Sequence, residues 1–184
     1  DGALRLTIDR GTGQVSIANN TSSTINMRGY SIRSNFGTLD ENAATYLGDT
    51  NVNWQILDSP THSELSEGYI PDQYAVPTFA SNPTLGKINL GASWRKYHED
   101  ISDVTFQYLV AGSDKPVTGI IEFVGNGGVS FNPLDLNFNG AIEIGDYAAF
   151  LAGYNVGLAG KTQAQQYNLG DLDADGKHSV KDFL

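Results

Sequence analysis

Residues 135–146 read Asp-Leu-Asn-Phe-Asn-Gly-Ala-Ile-Glu-Ile-Gly-Asp, and residues 171–182 read Asp-Leu-Asp-Ala-Asp-Gly-Lys-His-Ser-Val-Lys-Asp. Both stretches place oxygen-bearing side chains at positions 1, 3 and 5, glycine at 6 and a carboxylate at 12. Clusters of Asp, Asn and Gly are ordinary in surface turns, but two full matches within one short segment are not explained that way. The spacing is what a hard cation demands. Calcium takes about six to eight oxygen ligands, so alternate residues must turn inward around it, and a glycine must make the sharp turn at position 6. In the first loop the ligand set is Asp135, Asn137, Asn139 and Asp146, with Glu143 direct or through water and the Ala141 carbonyl. In the second it is Asp171, Asp173, Asp175 and Asp182, with Ser179 at position 9 and the Lys177 carbonyl. Ligand charge raises affinity for a divalent ion. The second loop, with four carboxylates where the first substitutes Asn137 and Asn139, is therefore expected to bind more tightly.

This is the EF-hand calcium spacing with Asp in place of the final Glu. Short helices follow the loops. Asp146 is placed to cap residues 147–152, with Gly153 as the stop, and Thr162 to cap residues 163–169, ended by Gly170. A duplicated loop of this kind, with helix following each repeat, resembles the dockerin type I repeat. The residues that carry the resemblance are Asp135, Asn137, Asn139, Gly140, Asp146, Asp171, Asp173, Asp175, Gly176 and Asp182. It covers residues 131–184. It implies secretion, two calcium ions and docking onto a cohesin-type protein receptor. Positions 10 and 11, polar recognition residues in that family, are Ile144-Gly145 and Val180-Lys181 here. Position 8, an aliphatic loop-pairing residue in the family, is Ile142 in one loop and His178 in the other. The sequence ends two residues past Asp182, so the second exit helix is expected to be truncated. Tyr147, Phe150 and Leu151 share one helix face, and Val156, Leu158, Leu169, Phe183 and Leu184 are expected to cover it.

The chain has 184 residues and a net charge of −10, enough for one sizeable core plus a small module. An acidic chain without a basic stripe argues against nucleic acid, whose phosphates require Lys and Arg. No apolar run approaches the ~18 residues of a membrane span. The first residues, Asp-Gly, suggest a processed product. Cysteine is absent, which removes disulfides, thiolate metal sites and cysteine nucleophiles. Calcium loops point outside the cell, where calcium is plentiful enough to fill even weak sites. The expected location is extracellular, secreted or at the cell surface.

Residues 1–128 read as strands and turns. Leu4, Leu6 and Ile8 alternate with polar neighbours, Gly11-Thr-Gly13 turns the chain, and Val15 and Ile17 continue it, a hairpin signature. Further strands are expected at 25–33, 52–57, 73–79, 87–90, 104–110 and 119–124, with a helical turn around 41–46. The predicted fold is mainly β: an antiparallel sandwich or jelly-roll-like domain over 1–128, then a small α-helical calcium module over 129–184, joined by a hinge at 125–128. The opening strands also resemble, loosely, β-sandwich modules that precede dockerin-like repeats in secreted bacterial proteins.

No nucleophile elbow, P-loop, dinucleotide fingerprint or zinc spacing is present. Glu64, Glu67 and Glu122 are carboxylates of the kind glycoside hydrolysis uses, and His98-Glu99-Asp100 is a charged turn. Trp54, Trp94 and Tyr97 could form a sugar-stacking platform, or could fill the core. The expected function is a non-catalytic extracellular calcium-binding protein for attachment or assembly, through protein docking or self-association as in a fibre subunit. The alternatives are a carbohydrate-binding module recognising a polysaccharide and a polysaccharide-cleaving enzyme.

Overall fold

A computed structural model describes residues 2–78, 86–98 and 103–183. The fold is mainly β, in two antiparallel-rich sheets, and among the described residues the α-helices lie in the last third of the sequence. The strands are β1 (Arg5–Asp9), β2 (Val15–Ala18), β3 (Ile25–Ser34), β4 (Trp54–Ile56), β5 (Glu64–Tyr69), β6 (Tyr74–Val76), β7 (Lys87–Asn89), β8 (Val104–Val110), β9 (Val117–Thr118) and β10 (Ile120–Val124). The smaller sheet runs β10-β1-β2-β7. The larger runs β4-β5-β3-β8-β9, with β6 also paired to β3. One pairing departs from the antiparallel expectation: β1 and β10 run parallel, Leu6 opposite Ile121.

Alternation drives the assembly. Leu4, Leu6 and Ile8 on the first sheet and Ile32, Leu65, Val104 and Phe106 on the second are buried in one cluster, as strand side chains of period two require. The Tyr108 hydroxyl spans the sheets, accepting from Leu4 N–H at 3.2 Å. On β3 the register shifts between Met27 and Gly29. This bulge changes the inward parity, so that Met27, Tyr30 and Ile32 all reach the core.

Two expectations on this part are corrected. Strand β5 lies outside the expected strands, because Glu-Leu-Ser-Glu-Gly-Tyr has no clean apolar alternation. Its inward Glu67 is fully buried and accepts from Leu47 N–H at 3.0 Å, Gly48 N–H at 2.9 Å and the Tyr30 hydroxyl. Those donors substitute for water and make the burial tolerable. The same contact pushes the Tyr30 hydroxyl well above the usual tyrosine range, through burial first and the Glu67 charge second. The helical turn falls at Leu47–Asp49 rather than 41–46, because Glu67 collects its N–H groups. Phe79, the end of one expected strand, lies outside the described residues, as do Glu99, Asp100 and Leu184.

A second buried carboxylate builds the platform for the C-terminal segment. Asp103 is 1% exposed. It accepts from Ser34 Oγ at 2.8 and 2.9 Å, Phe36 N–H at 2.8 Å and Thr38 Oγ1. This fixes the turn after β3 with the carbonyls of Phe36 and Gly37 available to α2.

Helix α2 (Gln163–Tyr167) docks there. Its capping box is complete: Gln165 N–H donates to Thr162 Oγ1 at 3.3 Å and Thr162 N–H to Gln165 Oε1 at 3.0 Å. Ala164 N–H donates to Phe36 O at 2.9 Å, Thr162 Oγ1 to Gly37 O at 3.2 Å, and Asn168 Nδ2 to Lys96 O at 3.1 Å. Tyr167, 1% exposed, meets Tyr97 edge-on at 5.0 Å between ring centroids. Burial of a side chain of this size is worth roughly 1.5–3 kcal/mol.

Helix α1 (Ile144–Gly153) starts three residues earlier than the expected 147. Asp146 sits inside its first turn and accepts from Glu143 N–H at 2.8 Å. Gly153 is not a left-handed stop. It is the last helical residue, and a Cβ there would lie 1.9 Å from Leu169 O; the glycine lets α1 pass the segment between the loops at close range.

Replacing Asp103 with Ala should leave the Ser34 hydroxyl and Phe36 N–H without this acceptor, and should leave the Thr38 hydroxyl only its bond to Ser34 Oγ. Buried orphaned groups cost roughly 1–3 kcal/mol each. Chemical denaturation should show a loss of about 3 kcal/mol or more for Asp103→Ala.

Candidate metal centre

The two loops adopt the same backbone. Position 6 is left-handed in each, with Gly140 at φ 88° and Gly176 at φ 80°. Position 4 is also left-handed, with Phe138 at 58° and Ala174 at 57°, a conformation uncommon for residues with a Cβ. Such strain persists where the surroundings over-determine it, and here they do so twice.

The hydrogen bonds repeat as well. The carboxylate at position 1 accepts from the N–H groups of positions 5 and 6: Asp135 from Asn139 at 3.1 Å and Gly140 at 2.8 Å, Asp171 from Asp175 at 3.1 Å and Gly176 at 2.9 Å. Position 3 accepts from position 5, through Asn137 and Asp173. Position 5 accepts from position 7, through Asn139 and Asp175. The carboxylate at 12 closes each ring. Asp146 accepts from Asn137 and Glu143, and Asp182 from Leu172, Asp173 and Ser179. Asp135, Asp146, Asp171 and Asp182 are buried, while positions 3 and 5 are open to solvent.

Charge gathers at these rings. One carboxylate oxygen each from Asp171, Asp173 and Asp175 lies within 4.8 Å of the others, close enough to hold one metal ion. The first loop brings together Asp135, Asn137, Asn139, Glu143 and Asp146, with Asn139 Nδ2 donating to Glu143 Oε1 at 2.8 Å. Burial raises the Asp171 carboxyl above the usual aspartate range, against the opposing pull of the Gly176 N–H. Asp182 is also penalised by burial, but the N–H groups of Ser179, Asp173 and Leu172 outweigh this and lower it. Ala141 and Lys177, the expected carbonyl donors, lie on the exposed rims.

Lys181 is a feature that ligand spacing alone does not reveal. Its Nζ lies 2.8 Å from Asp173 Oδ2, so part of the negative charge of the second loop is already balanced. That weakens the charge argument for the second loop as the tighter one.

Around the rings, position 8 is reversed from expectation. Ile142 is 55% exposed, whereas His178 packs edge-on against Phe150 at 4.2 Å. Phe183 covers the same residue at 5.0 Å, as expected. Phe150 is buried, but Leu151 remains 49% and Val156 41% exposed, so the cover reaches only part of the helix face. Tyr167 links the first loop to the sheets, its hydroxyl donating to Pro133 O at 2.7 Å. That hydroxyl is pushed far up by burial first, then by Tyr97 and by the negative Asp135 and Asp146.

The aromatic platform is corrected. Trp54, Trp94 and Tyr97 are 3%, 2% and 3% exposed. Trp54 packs among Tyr30, Tyr69 and Tyr74, Trp94 against Phe123, and Tyr97 against Phe36 and Tyr167. The three carboxylates considered for hydrolysis are each committed elsewhere. Glu67 is buried on its N–H donors, Glu64 pairs with Arg33 at 3.1 Å, and Glu122 pairs with Arg5 at 3.4 Å on the other sheet.

No atom lies within 4 Å of where a Cβ would stand on Gly176, so Gly176→Ala tests the backbone alone. The left-handed conformation should cost the variant about 1–2 kcal/mol, read as a lower unfolding midpoint. Lys181→Met should raise the affinity of the second loop for a divalent cation, measured by competition with a coloured chelator.

The chain matches no protein-family model, no curated protein and no solved structure, so the reading of these loops rests on their own geometry.

Proposed function

We propose that this is a non-catalytic, extracellular calcium-binding protein for attachment or assembly, a β-sandwich carrying a dockerin-like pair of calcium loops. The supporting observation is the repeated ring: two loops with matching left-handed positions and matching hydrogen bonds, each burying the carboxylates at positions 1 and 12, and the second bringing oxygens of Asp171, Asp173 and Asp175 together. All-oxygen, carboxylate-rich donor sets suit hard cations, and the flexible coordination of calcium suits a loop of this length better than the rigid octahedron of magnesium. Asp135, Asn137, Asn139, Glu143 and Asp146 would hold one ion with the Ala141 carbonyl. Asp171, Asp173, Asp175, Ser179 and Asp182 would hold the other with the Lys177 carbonyl. Bound calcium stabilises by offsetting the repulsion of clustered carboxylates and by binding only the folded loop.

A protein partner, or a second copy of the chain, is supported by apolar residues left in water beside the loops. Ile144 is 80%, Leu151 49% and Val180 61% exposed, and Tyr147, Leu151, Tyr154 and Val180 line a groove of about 380 Å³. Contiguous exposed apolar surface is the usual mark of a contact site. Binding or cleavage of a polysaccharide draws no support from the burial of Trp54, Trp94 and Glu67. Among the described residues no helix is long and apolar enough to cross a membrane.

Calorimetric titration with calcium should show two binding events, with Asp135→Ala and Asp171→Ala each removing one. A wild-type titration with no heat, or one event only, refutes the two-ion reading. Hydrogen exchange under chelation should lose protection first in residues 131–183. The loss should then reach 34–38, because Ala164 N–H is bonded to Phe36 O, while β1, β3 and β8 keep theirs.

A further inference from the structure

We propose that the Asn139–Gly140 bond is a modification site, a deamidation switch that a bound cation holds closed; the inference rests on the calcium reading of the first loop. Asparagine followed by glycine is prone to ring closure, because glycine has no side chain to obstruct it. The Gly140 nitrogen attacks Asn139 Cγ, the new C–N bond forms, and the side-chain amide leaves as ammonia, carrying the proton lost from Gly140. Water then opens the cyclic imide to aspartate or to isoaspartate, so the sequence of steps needs no other reactant.

The loop presents this pair and restrains it at once. Asn139 is exposed, and the nearest atom to a Cβ on Gly140 would be Asn126 Oδ1 at 3.5 Å, so space around the bond is open. Three hydrogen bonds hold the reacting groups in place. Gly140 N–H donates to buried Asp135 Oδ2 at 2.8 Å, Asn139 Nδ2 donates to Glu143 Oε1 at 2.8 Å, and Asn139 Oδ1 accepts from Ala141 N–H at 2.8 Å. Attack requires the first to break and the carboxamide to swing free of the other two. Asp135, Asn139 and Glu143 are also the residues that would hold the ion, so occupancy and protection share the same side chains. Without the cation, Asp135, Glu143 and Asp146 repel one another and the loop opens more often.

The two products differ in consequence. Aspartate at 139 gives the first loop the side chain that Asp175 supplies in the second. Isoaspartate inserts a methylene into the backbone between positions 5 and 6, displaces Gly140 from its turn and prevents the ring from reforming. The second loop has Asp175 at this position. A carboxylate is a poorer electrophile than an amide, so the second loop outlasts the first.

The test is ageing of the whole chain with calcium and with chelator, followed by peptide mapping by mass spectrometry, with Asn126 deamidation in the same digest as reference. If reaction passes through the open loop, calcium at about one hundred times its Kd should slow conversion of Asn139 about 100-fold. In Asp135→Ala the calcium dependence should vanish. Calorimetry on the same samples separates the failures. A filled first loop with an unchanged or faster rate at Asn139 overturns this inference and leaves the calcium reading standing. No calcium binding at the first loop overturns both.

Discussion

Buried carboxylates held by hydrogen bonds from N–H groups and hydroxyls are the constraint around which this molecule is organised. Asp103 and Glu67 in the sheets and Asp135, Asp146, Asp171 and Asp182 beyond them are all less than a tenth exposed. Burying an ionised carboxylate is costly unless its oxygens are satisfied. In each case the donors are backbone N–H groups, hydroxyls or both, and the segment that supplies them is irregular backbone held in a fixed shape: the turn at 34–38, the turn at 47–49 and the two loops. These segments have few apolar side chains with which to order themselves. A carboxylate that collects several N–H groups supplies that order at short range.

The distinction between the two sets is what remains over. Asp103 and Glu67 each accept several hydrogen bonds that meet the needs of one charge. In the second loop several acidic groups converge, and the N–H groups that their oxygens accept from do not remove the repulsion between them. Lys181 on Asp173 balances one charge in the second ring. The convergence of Asp171, Asp173 and Asp175 is what distinguishes the second loop from the sheet carboxylates.

The docking of α2 ties the sheets to the loops. Helix α2 is too short to be stable alone. It is held at one end by the turn that Asp103 orders and at the other by Tyr167, which lies between Tyr97, in the segment after β7, and Phe138 in the first loop. Asp171 N–H then bonds Gln166 O at 3.1 Å, so the second loop begins where α2 ends. Order at the loops and order at the 34–38 turn are therefore mechanically linked through one short helix.

The sequence by itself determined the parts whose information is local. The ligand pattern of each loop lies within twelve consecutive residues, and the alternation of β1 and β8 is written in Leu4, Leu6 and Ile8 and in Val104, Phe106 and Tyr108. A helix cap such as Thr162 with Gln165 spans three positions. Tertiary structure alone decided what depended on distant partners. Strand β5 was hidden because Glu67 reads as a surface residue until Leu47, Gly48 and Tyr30 come to meet it. Trp54 and Trp94 could as well have faced sugar as core, and only the closing of the sheets and of the loops beside them buried both. The exchange of roles between Ile142 and His178 has the same cause: whether an aliphatic or an imidazole ring covers Phe150 is settled by how α1 passes Leu169 across Gly153, and no spacing within either loop records that approach.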